Sequence, residues 1–250
     1  MTEQLRIAVL GADGRMGTAV CRAVEEAPDL ALVARLEKDD DVAALAGQVD
    51  VAVDFTVPSV TEANVHALLD AGVHAVVGTT GWDDAALARV EEHLARTDGL
   101  GVLVAPNFAL SAVLAMQFAA RAARYFESAE VIELHHPGKV DAPSGTALAT
   151  ARHIAAARRE AGLAAMPDAT ETQLDGARGA VVDGVHVHAV RLRGLVAHEE
   201  IVLGNSGEQL TIRTDSFDRV SFMPGVLLAV RRVATRPGLT VGLEHLLDLG

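Results

Sequence analysis

The sequence is poor in three features: cysteine, positive charge and long apolar runs. Its 250 residues include one cysteine, Cys21, which excludes an internal disulfide and a metal cluster of several cysteines, so we expect a reducing compartment, the cytoplasm. Lys and Arg number 21 against 34 Asp and Glu, a formal net charge of −13, which argues against non-specific binding to nucleic acid or to an anionic membrane. An anionic ligand therefore needs a local positive site.

Long apolar segments are also lacking. The sequence has no stretch of about 20 uncharged apolar residues, so no membrane span is expected. The first residues, MTEQLRIAVLGADG, do not follow the pattern of a secretory signal. Half of the residues are nonetheless apolar, which is enough for the core of one large fold or of two modest domains.

Short apolar segments alternate with helical patterns in the first half of the chain. Strands that are apolar throughout and alternate with helices predict a parallel sheet covered on both faces. From about Val131 the pattern changes to strands of mixed or antiparallel type, with one helix at roughly 147–161. We therefore predict an α/β protein with a parallel-sheet domain at residues 1–132 and 221–250. A smaller α+β domain with a mixed sheet is predicted at residues 133–220.

The C-terminal segment FMPGVLLAVRRVATRPG, residues 222–238, has the pattern of one apolar helix. We expect this helix to return to the first domain, which makes the second domain an insertion.

A glycine-rich turn, GADGRMG, joins the first predicted strand to the first helix. Its glycines, Gly11, Gly14 and Gly17, permit a tight turn that brings backbone amides close to a pyrophosphate at a helix N-terminus. Glu37 ends the second strand, where a carboxylate accepts hydrogen bonds from the adenosine ribose. Lys38 follows and could attract a ribose 2′-phosphate, so we expect that both NADH and NADPH are used. A glycine turn without a ligand is the alternative.

Three further strands end in segments that could surround a nicotinamide ring and its ribose. These segments are Asp54 to Pro58, Gly78 to Gly81 and Ala105 to Phe108. The carboxyl ends of parallel strands are where open α/β sheets bind ligands. Phe55, Thr79 and Asn107 are the candidate contacts, although each segment taken singly is as well explained by an ordinary turn.

The segment ELHHPGKVDAPSGTAL, residues 133–148, allows three interpretations. A metal site is the weakest, because adjacent histidines on a strand point to opposite faces. A helix cap is the second, with Asp141 or Ser144 as the capping residue. A catalytic loop is the third, because the amides of Gly145 and Thr146 at a helix N-terminus suit a carboxylate. The second and third interpretations are compatible.

A lysine and two histidines near this helix start could bind an anion or transfer a proton. Lys139 can bind a carboxylate or donate a proton, and His135 or His136 can act as an acid near neutral pH. Each of these residues alone is as well explained by a solvated loop or a hydrogen-bonded strand end. Their clustering favours a functional site.

Together these motifs resemble the 4-hydroxy-tetrahydrodipicolinate reductase family, also called the dihydrodipicolinate reductase family, and its actinobacterial branch in particular. The resemblance covers nearly the whole chain, and the segment HHPGKVDAPSGT is its most specific part. It implies a Rossmann-like domain, NADH or NADPH as hydride donor without a metal, and a substrate domain that also forms a homotetramer through its sheets. It implies that the substrate is a cyclic dicarboxylate of the lysine and diaminopimelate pathway and that this substrate is reduced with loss of water.

The resemblance also implies roles for individual residues. His135 matches the proposed proton donor/acceptor and Lys139 the proposed proton donor, and which of the two gives the proton stays open. His136, Gly145 and Thr146 match substrate-binding positions. The cofactor-binding positions correspond to Gly11, Ala12, Asp13, Gly14, Arg15, Met16, Glu37, Gly78, Thr79, Thr80, Ala105, Pro106, Asn107 and Phe108.

Other functions compete with this one. Another two-domain nicotinamide oxidoreductase acting on an amino or oxo acid would share the glycine turn. A semialdehyde dehydrogenase with a covalent thioester is disfavoured because Cys21 falls on the first helix, away from the second domain. A regulatory protein that senses NAD(P) would not need the His-His-Lys and Ser-Gly-Thr cluster.

Overall fold

The computed structural model describes residues 4–249, and the chain divides into two compact units. The first unit contains residues 1–109 and 219–250, and the second contains residues 110–218. The first boundary between the two units therefore lies at residue 110 rather than at the expected residue 133. Strands and helices are numbered along the chain. The boundary lies there because helix α4 (Leu110–Ala122) packs on helix α5 (Gly145–Glu160), and strand β6 (Ser128–His135) lies wholly in the second sheet.

The first unit is built on a six-stranded parallel sheet with the order β11-β5-β4-β3-β1-β2. Its central strands are buried on both faces, which explains why they are apolar throughout. Its strands are β1 (Leu5–Leu10), β2 (Leu30–Leu36), β3 (Val51–Asp54), β4 (His74–Val77), β5 (Gly101–Val104) and β11 (Gly238–Val241).

Two pairs of helices cover this sheet. Helices α1 (Arg15–Glu26) and α6 (Met223–Arg232) contact each other, as do α2 (Thr61–Asp70) and α3 (Asp84–Leu94). Since residues on both faces of the central strands are buried, the two pairs lie on opposite faces. Because the strands of this sheet are parallel, the carboxyl ends of β1, β3, β4 and β5 lie at one edge of the sheet. The predicted cofactor residues follow these strand ends.

The second unit is a mixed five-stranded sheet with the order β10-β9-β6-β8-β7. Strands β6 and β8 are parallel, and the other neighbouring pairs are antiparallel. Helices α4 and α5 pack together, and an apolar stripe on α5 that includes Ala147, Ala151 and Ile154 meets the buried residues of the sheet. The remaining strands are β7 (Ala180–Val182), β8 (Val185–Arg191), β9 (Ala197–Asn205) and β10 (Glu208–Ser216).

The predicted fold class, a parallel sheet with helices plus a mixed sheet, is confirmed, but three local elements differ. Helix α4 is apolar on most of its surface, so no helical period marked it in the sequence. The C-terminal segment is not one helix, because α6 ends at Arg232 and a 3₁₀ turn at Val233–Thr235 leads to β11. Helix α5 begins at Gly145, two residues before the expected start. Across residues 4–249 no helix is long and apolar enough to cross a membrane.

Candidate functional site

The glycine turn of the first unit leaves no room for larger residues. Gly11 has a φ of +73°, and a Cβ there would lie 2.9 Å from the carbonyl oxygen of Phe55. A Cβ on Gly17 would lie 2.0 Å from the carbonyl oxygen of Gly11, so helix α1 packs directly on the turn. Gly14 is the N-cap residue of α1 and has no side chain with which to cap the helix. The turn therefore fits a pyrophosphate at a helix N-terminus.

Glu37, the candidate ribose-binding carboxylate, lies beside this turn. Its Oε1 accepts a hydrogen bond from the Asp13 amide at 2.7 Å, and its own amide donates to Asp40 Oδ2 at 2.7 Å. Glu37 and Lys38 line a cavity of about 650 Å³ together with Gly11 and Phe55. This cavity has the size of a small-molecule site, and its carboxylate suits the hydroxyls of an adenosine ribose.

A buried carboxylate organises the ends of strands β3 and β4. Asp54 is fully buried, and its Oδ1 accepts hydrogen bonds from the Thr56 amide at 2.8 Å and from the hydroxyls of Thr56 at 2.6 Å and Thr79 at 2.9 Å. Its Oδ2 accepts from Asn64 Nδ2 at 2.9 Å and from the Thr61 hydroxyl at 3.3 Å. The loops after both strands are therefore tied to one side chain. Our sequence reasoning gave Asp54 no role, although an acid that ends an apolar strand is a signal.

The other strand-end segments lie next to these loops. A Cβ on Gly78 would lie 2.0 Å from the Phe55 ring, and the ring centroids of Phe55 and Phe108 are 5.8 Å apart. The Asn107 side chain accepts a hydrogen bond from the Ala109 amide at 2.8 Å. The structure thus brings Phe55, Gly78 to Thr80 and Ala105 to Phe108 to one edge of the sheet. Arg15 and Met16 begin helix α1, and Ala12 is buried in the glycine turn.

In the second unit, Ser144 rather than Asp141 caps helix α5. The Ser144 hydroxyl accepts a hydrogen bond from the Ala147 amide at 3.2 Å. The Asp141 carboxylate instead accepts from Lys139 Nζ at 2.6 Å. The ammonium of Lys139, together with the Gly145 amide, holds the pKa of Asp141 below its usual range. A carboxylate of this chain therefore occupies the positive environment formed by Lys139 and the start of α5, where our sequence reasoning placed a ligand.

His135 is the last residue of β6, and its Nδ1 lies 2.6 Å from Glu133 Oε2. His136 lies beyond the strand and is exposed; its ring lies over Gly138, and its carbonyl oxygen accepts from the Lys139 amide at 3.2 Å. The two histidines therefore diverge. Within residues 4–249 no group of three or more His, Cys, Asp or Glu residues is arranged to hold a metal ion.

Glu133 is fully buried, and its carboxylate joins three parts of the second unit. Arg191 on β8 donates to both of its oxygens at 2.7 Å, and the Ser144 amide donates to Oε1 at 3.0 Å. Burial raises the pKa of Glu133, but the hydrogen bonds from Arg191, His135 and Ser144 outweigh it and bring the pKa below the ordinary value. Sequence reasoning missed Glu133, whose signal was a charge inside an apolar strand, two residues before His135.

A second buried carboxyl group lies opposite the first. Glu199 on β9 is the register partner of Glu133 and is 4% exposed. The Thr150 hydroxyl donates to its Oε1 at 2.8 Å, whereas its Oε2 has no hydrogen-bond partner in the part of the chain that the structure describes. Burial, with a further contribution from the charge of Glu133, raises the pKa of Glu199 to about 7. Glu199 is therefore largely protonated in mildly acidic solution.

This raised pKa predicts a pH-dependent loss of stability. The folded state keeps a proton on Glu199 that the unfolded state releases at a lower pH. The contribution of this group to the free energy of unfolding is therefore full below pH 4 and is lost as the pH rises towards 7. Glu199→Gln mimics the protonated acid and should exceed the unsubstituted protein in stability by about 3 kcal/mol at pH 8. Urea unfolding at pH 4 and pH 8 measures this difference. Glu200→Gln, which removes a more accessible carboxylate on the same strand, is the control, and equal pH slopes for Glu199→Gln and the unsubstituted protein would contradict the expectation.

Comparison with known proteins identifies the family. Two family models match, described as dihydrodipicolinate reductase N-terminus over residues 5–108 and C-terminus over residues 111–247. Curated proteins named 4-hydroxy-tetrahydrodipicolinate reductase are similar over 98% of this chain and 99% of their own length: that of Beutenbergia cavernae is 74% identical over 245 residues, and that of Corynebacterium efficiens 58% over 246.

A solved structure is also similar to this chain over almost its full length. It is a dipicolinate-bound dihydrodipicolinate reductase from Paenisporosarcina sp. TG-14, with a TM-score of 0.89 and 37% identity, and the match covers 98% of this chain and 100% of that one. The family models, the curated relatives and this structure agree with the resemblance carried by the sequence motifs. The chain belongs to the dihydrodipicolinate reductase family of NAD(P)H-dependent oxidoreductases.

Proposed function

We propose that the chain reduces 4-hydroxy-tetrahydrodipicolinate to tetrahydrodipicolinate with loss of water, in the biosynthesis of lysine and diaminopimelate. The observation that carries this proposal is the loop of the second unit. There Lys139 and the start of α5 form a site for a carboxylate, which Asp141 occupies in the free protein, and His135 lies at the end of the adjoining strand. The dicarboxylate in the similar Paenisporosarcina structure supports the same class of substrate.

The first unit is proposed as the dinucleotide-binding domain and the second as the substrate-binding domain. When bound, the reduced nicotinamide supplies a hydride from its C4. The glycine turn would hold the pyrophosphate, with Glu37 and Lys38 at the adenosine ribose. Phe55 and the two segments that follow β4 and β5 would form the surface for the nicotinamide ribose and ring. The buried hydrogen bonds of Asp54 hold two of these loops in place before the cofactor binds.

Lys139, Gly145, Thr146 and His136 are proposed to bind the substrate carboxylates. A substrate carboxylate would replace Asp141 as the partner of Lys139, so the ammonium exchanges one anion for another and is never left unpaired. The exchange keeps the cost of desolvating Lys139 low, because this side chain already has an ionic partner in the free protein.

His135 is proposed as the proton donor, which leaves Lys139 to hold the substrate. Lys139 forms an ion pair with Asp141, which shows that its ammonium is placed to hold a carboxylate. Burial lowers the pKa of His135, while Glu133 opposes that change, and the net shift is downward. A histidine whose pKa lies below its ordinary value gives up its proton more readily near neutral pH.

We propose that the functional form is a homotetramer in the cytoplasm. The second unit exposes apolar side chains on both edge strands of its sheet, Val181 on β7 and Leu210 on β10. Strand β10 is nine residues long and forms an exposed edge of the sheet, and such edges favour association with another chain. The free thiol of Cys21 fits a reducing compartment.

The direct test of the activity follows oxidation of NADH and NADPH with the condensation product of aspartate semialdehyde and pyruvate as substrate. Turnover with at least one cofactor is expected, and its absence with both would overturn the proposal. Lys139→Ala should lower turnover by about 10²-fold or more while cofactor affinity stays nearly unchanged, since Lys139 is assigned to the substrate. Arg152→Ala removes an exposed cation from α5 and serves as the control.

Substitution of the two side chains proposed to lie at the adenosine ribose tests whether both cofactors are used. A carboxylate favours the 2′-hydroxyl of NADH and repels the 2′-phosphate of NADPH. Glu37→Gln should therefore raise the ratio of kcat/KM for NADPH over NADH by about tenfold, and Lys38→Ala should lower it. If neither substitution changes the ratio, the assignment of these two residues is incorrect.

The assembly is tested by light scattering on the purified protein. A homotetramer has four times the chain mass of 26.1 kDa. Substituting Leu210 and Val181 by aspartate should lower the measured mass, because a charge placed in an apolar contact opposes association. A monomer mass for the unsubstituted protein across the micromolar range would contradict the proposed assembly.

A further inference from the structure

The buried carboxylate of Glu133 connects the two parts of the candidate site in the second unit. Side chains alternate along a strand, so Glu133 and His135 lie on the same face of β6. The Glu133 Oε2 and His135 Nδ1 atoms are 2.6 Å apart. On the other side of the carboxylate, Oε1 accepts from the Ser144 amide at 3.0 Å. One side chain therefore contacts both the imidazole and the residue that caps helix α5.

Arg191 keeps this carboxylate ionised. Its guanidinium donates to both oxygens at 2.7 Å, and the same group donates to the carbonyl oxygen of Asp141 at 2.7 Å. A buried carboxylate with a bidentate arginine partner stays charged, because removal of its charge would leave the arginine unpaired. Glu133 is therefore an acceptor at both of its oxygens.

An acceptor at this position fixes the tautomer of His135. Since an ionised carboxylate cannot donate a hydrogen bond, Nδ1 of His135 must carry the proton in the 2.6 Å contact. Nε2 is then the nitrogen left to give or take a proton, and it gains a proton when the ring becomes cationic. A neutral amide at position 133 would remove this constraint, because it could present its NH₂ group to Nδ1 and favour the opposite tautomer.

We propose that Glu133 is a positioning residue of the reductase: it sets the tautomer and orientation of His135 and, through the Ser144 amide, the start of the helix that binds the substrate carboxylate. The proposal deepens the proposed function and rests on it, since it takes His135 as the proton donor. Glu133 acts through His135 and Ser144 and is not assigned any contact with substrate.

The direction of the pH effect follows from the charges that face the imidazole. Burial is the largest influence and opposes the cationic ring, Glu133 favours it, and Lys139 on the loop and Arg191 on β8 oppose it. Asp141 pairs with Lys139, and Glu199 on β9 faces Glu133. Neutralising Glu133 removes the carboxylate that favours the cationic ring, so the pKa of His135 falls further. Because a proton donor must be protonated, the decline of kcat at high pH moves to lower pH.

The matched control lies three residues earlier on the same strand. Glu130 accepts from Arg178 at 2.6 Å and lies 2.7 Å from Nε2 of His188, so it also joins one arginine and one histidine. It lies on the opposite face of β6 from Glu133, because the two positions differ by an odd number of residues. Glu130→Gln thus removes the same kind of carboxylate without touching His135.

The experiment compares Glu133→Gln, Glu130→Gln and the unsubstituted protein by pH profiles of kcat and by ¹⁵N spectra of histidine-labelled protein. For Glu133→Gln we expect kcat to fall by about 10²-fold, the high-pH limb to move to lower pH, and the KM for cofactor to stay constant. Glu130→Gln should keep the profile and the His135 signals unchanged. A Glu133→Gln variant with the profile and His135 titration of the unsubstituted protein overturns the proposal.

The spectra of the unsubstituted protein give a test that does not depend on the folding of a variant. Above its pKa, neutral His135 should show a protonated Nδ1 and an unprotonated Nε2. The opposite tautomer would overturn the proposal even if Glu133→Gln did not fold. Failure of the unsubstituted protein to turn over the substrate would instead refute the proposed function, and the tautomer of His135 would still report on the contact with Glu133.

Discussion

A carboxylate buried in a protein is costly unless its oxygens accept hydrogen bonds, and both units of this chain are arranged around such a group. In the first unit, Asp54 at the end of β3 accepts from two loops and from helix α2. In the second unit, Glu133 near the end of β6 accepts from Arg191 on β8, from His135 at the end of its own strand and from the residue that caps helix α5. In each unit, satisfying one carboxylate fixes the segments that carry the candidate functional groups.

The two carboxylates are satisfied by different means. Among the residues that the structure describes, the donors to Asp54 are neutral, namely hydroxyls, an amide side chain and a backbone amide. Glu133 has a guanidinium on both oxygens, whereas burial raises the pKa of Glu199, one strand away, to about 7. In mildly acidic solution the two facing glutamates therefore differ in protonation state, which lowers the repulsion between them. The environment, rather than the residue type, decides which of them is ionised.

The sequence predicted those parts of the fold and site that depend on short-range patterns. The alternating apolar segments and the glycine turn lie where the patterns placed them, and helix α5 begins within two residues of its expected start, because each is encoded within a few adjacent residues. Helix α4 and strand β11 were missed: the first is apolar nearly all round, and the second is four residues long. Arg191 was missed because it reaches Glu133 across 58 positions of sequence, and spacing along the chain carries no information about such a pair.

The edge strand of the first sheet comes from the far end of the chain. Strand β5 ends at Val104, and its neighbour β11 begins at Gly238, after the whole second unit has been passed. During synthesis from the N-terminus, β5 therefore forms the open edge of a five-stranded sheet until the last residues emerge. An unpaired edge is prone to wrong pairing. The insertion therefore makes correct folding of the first unit depend on synthesis of residues 238–241, so a truncation that removes β11 would expose the same edge permanently.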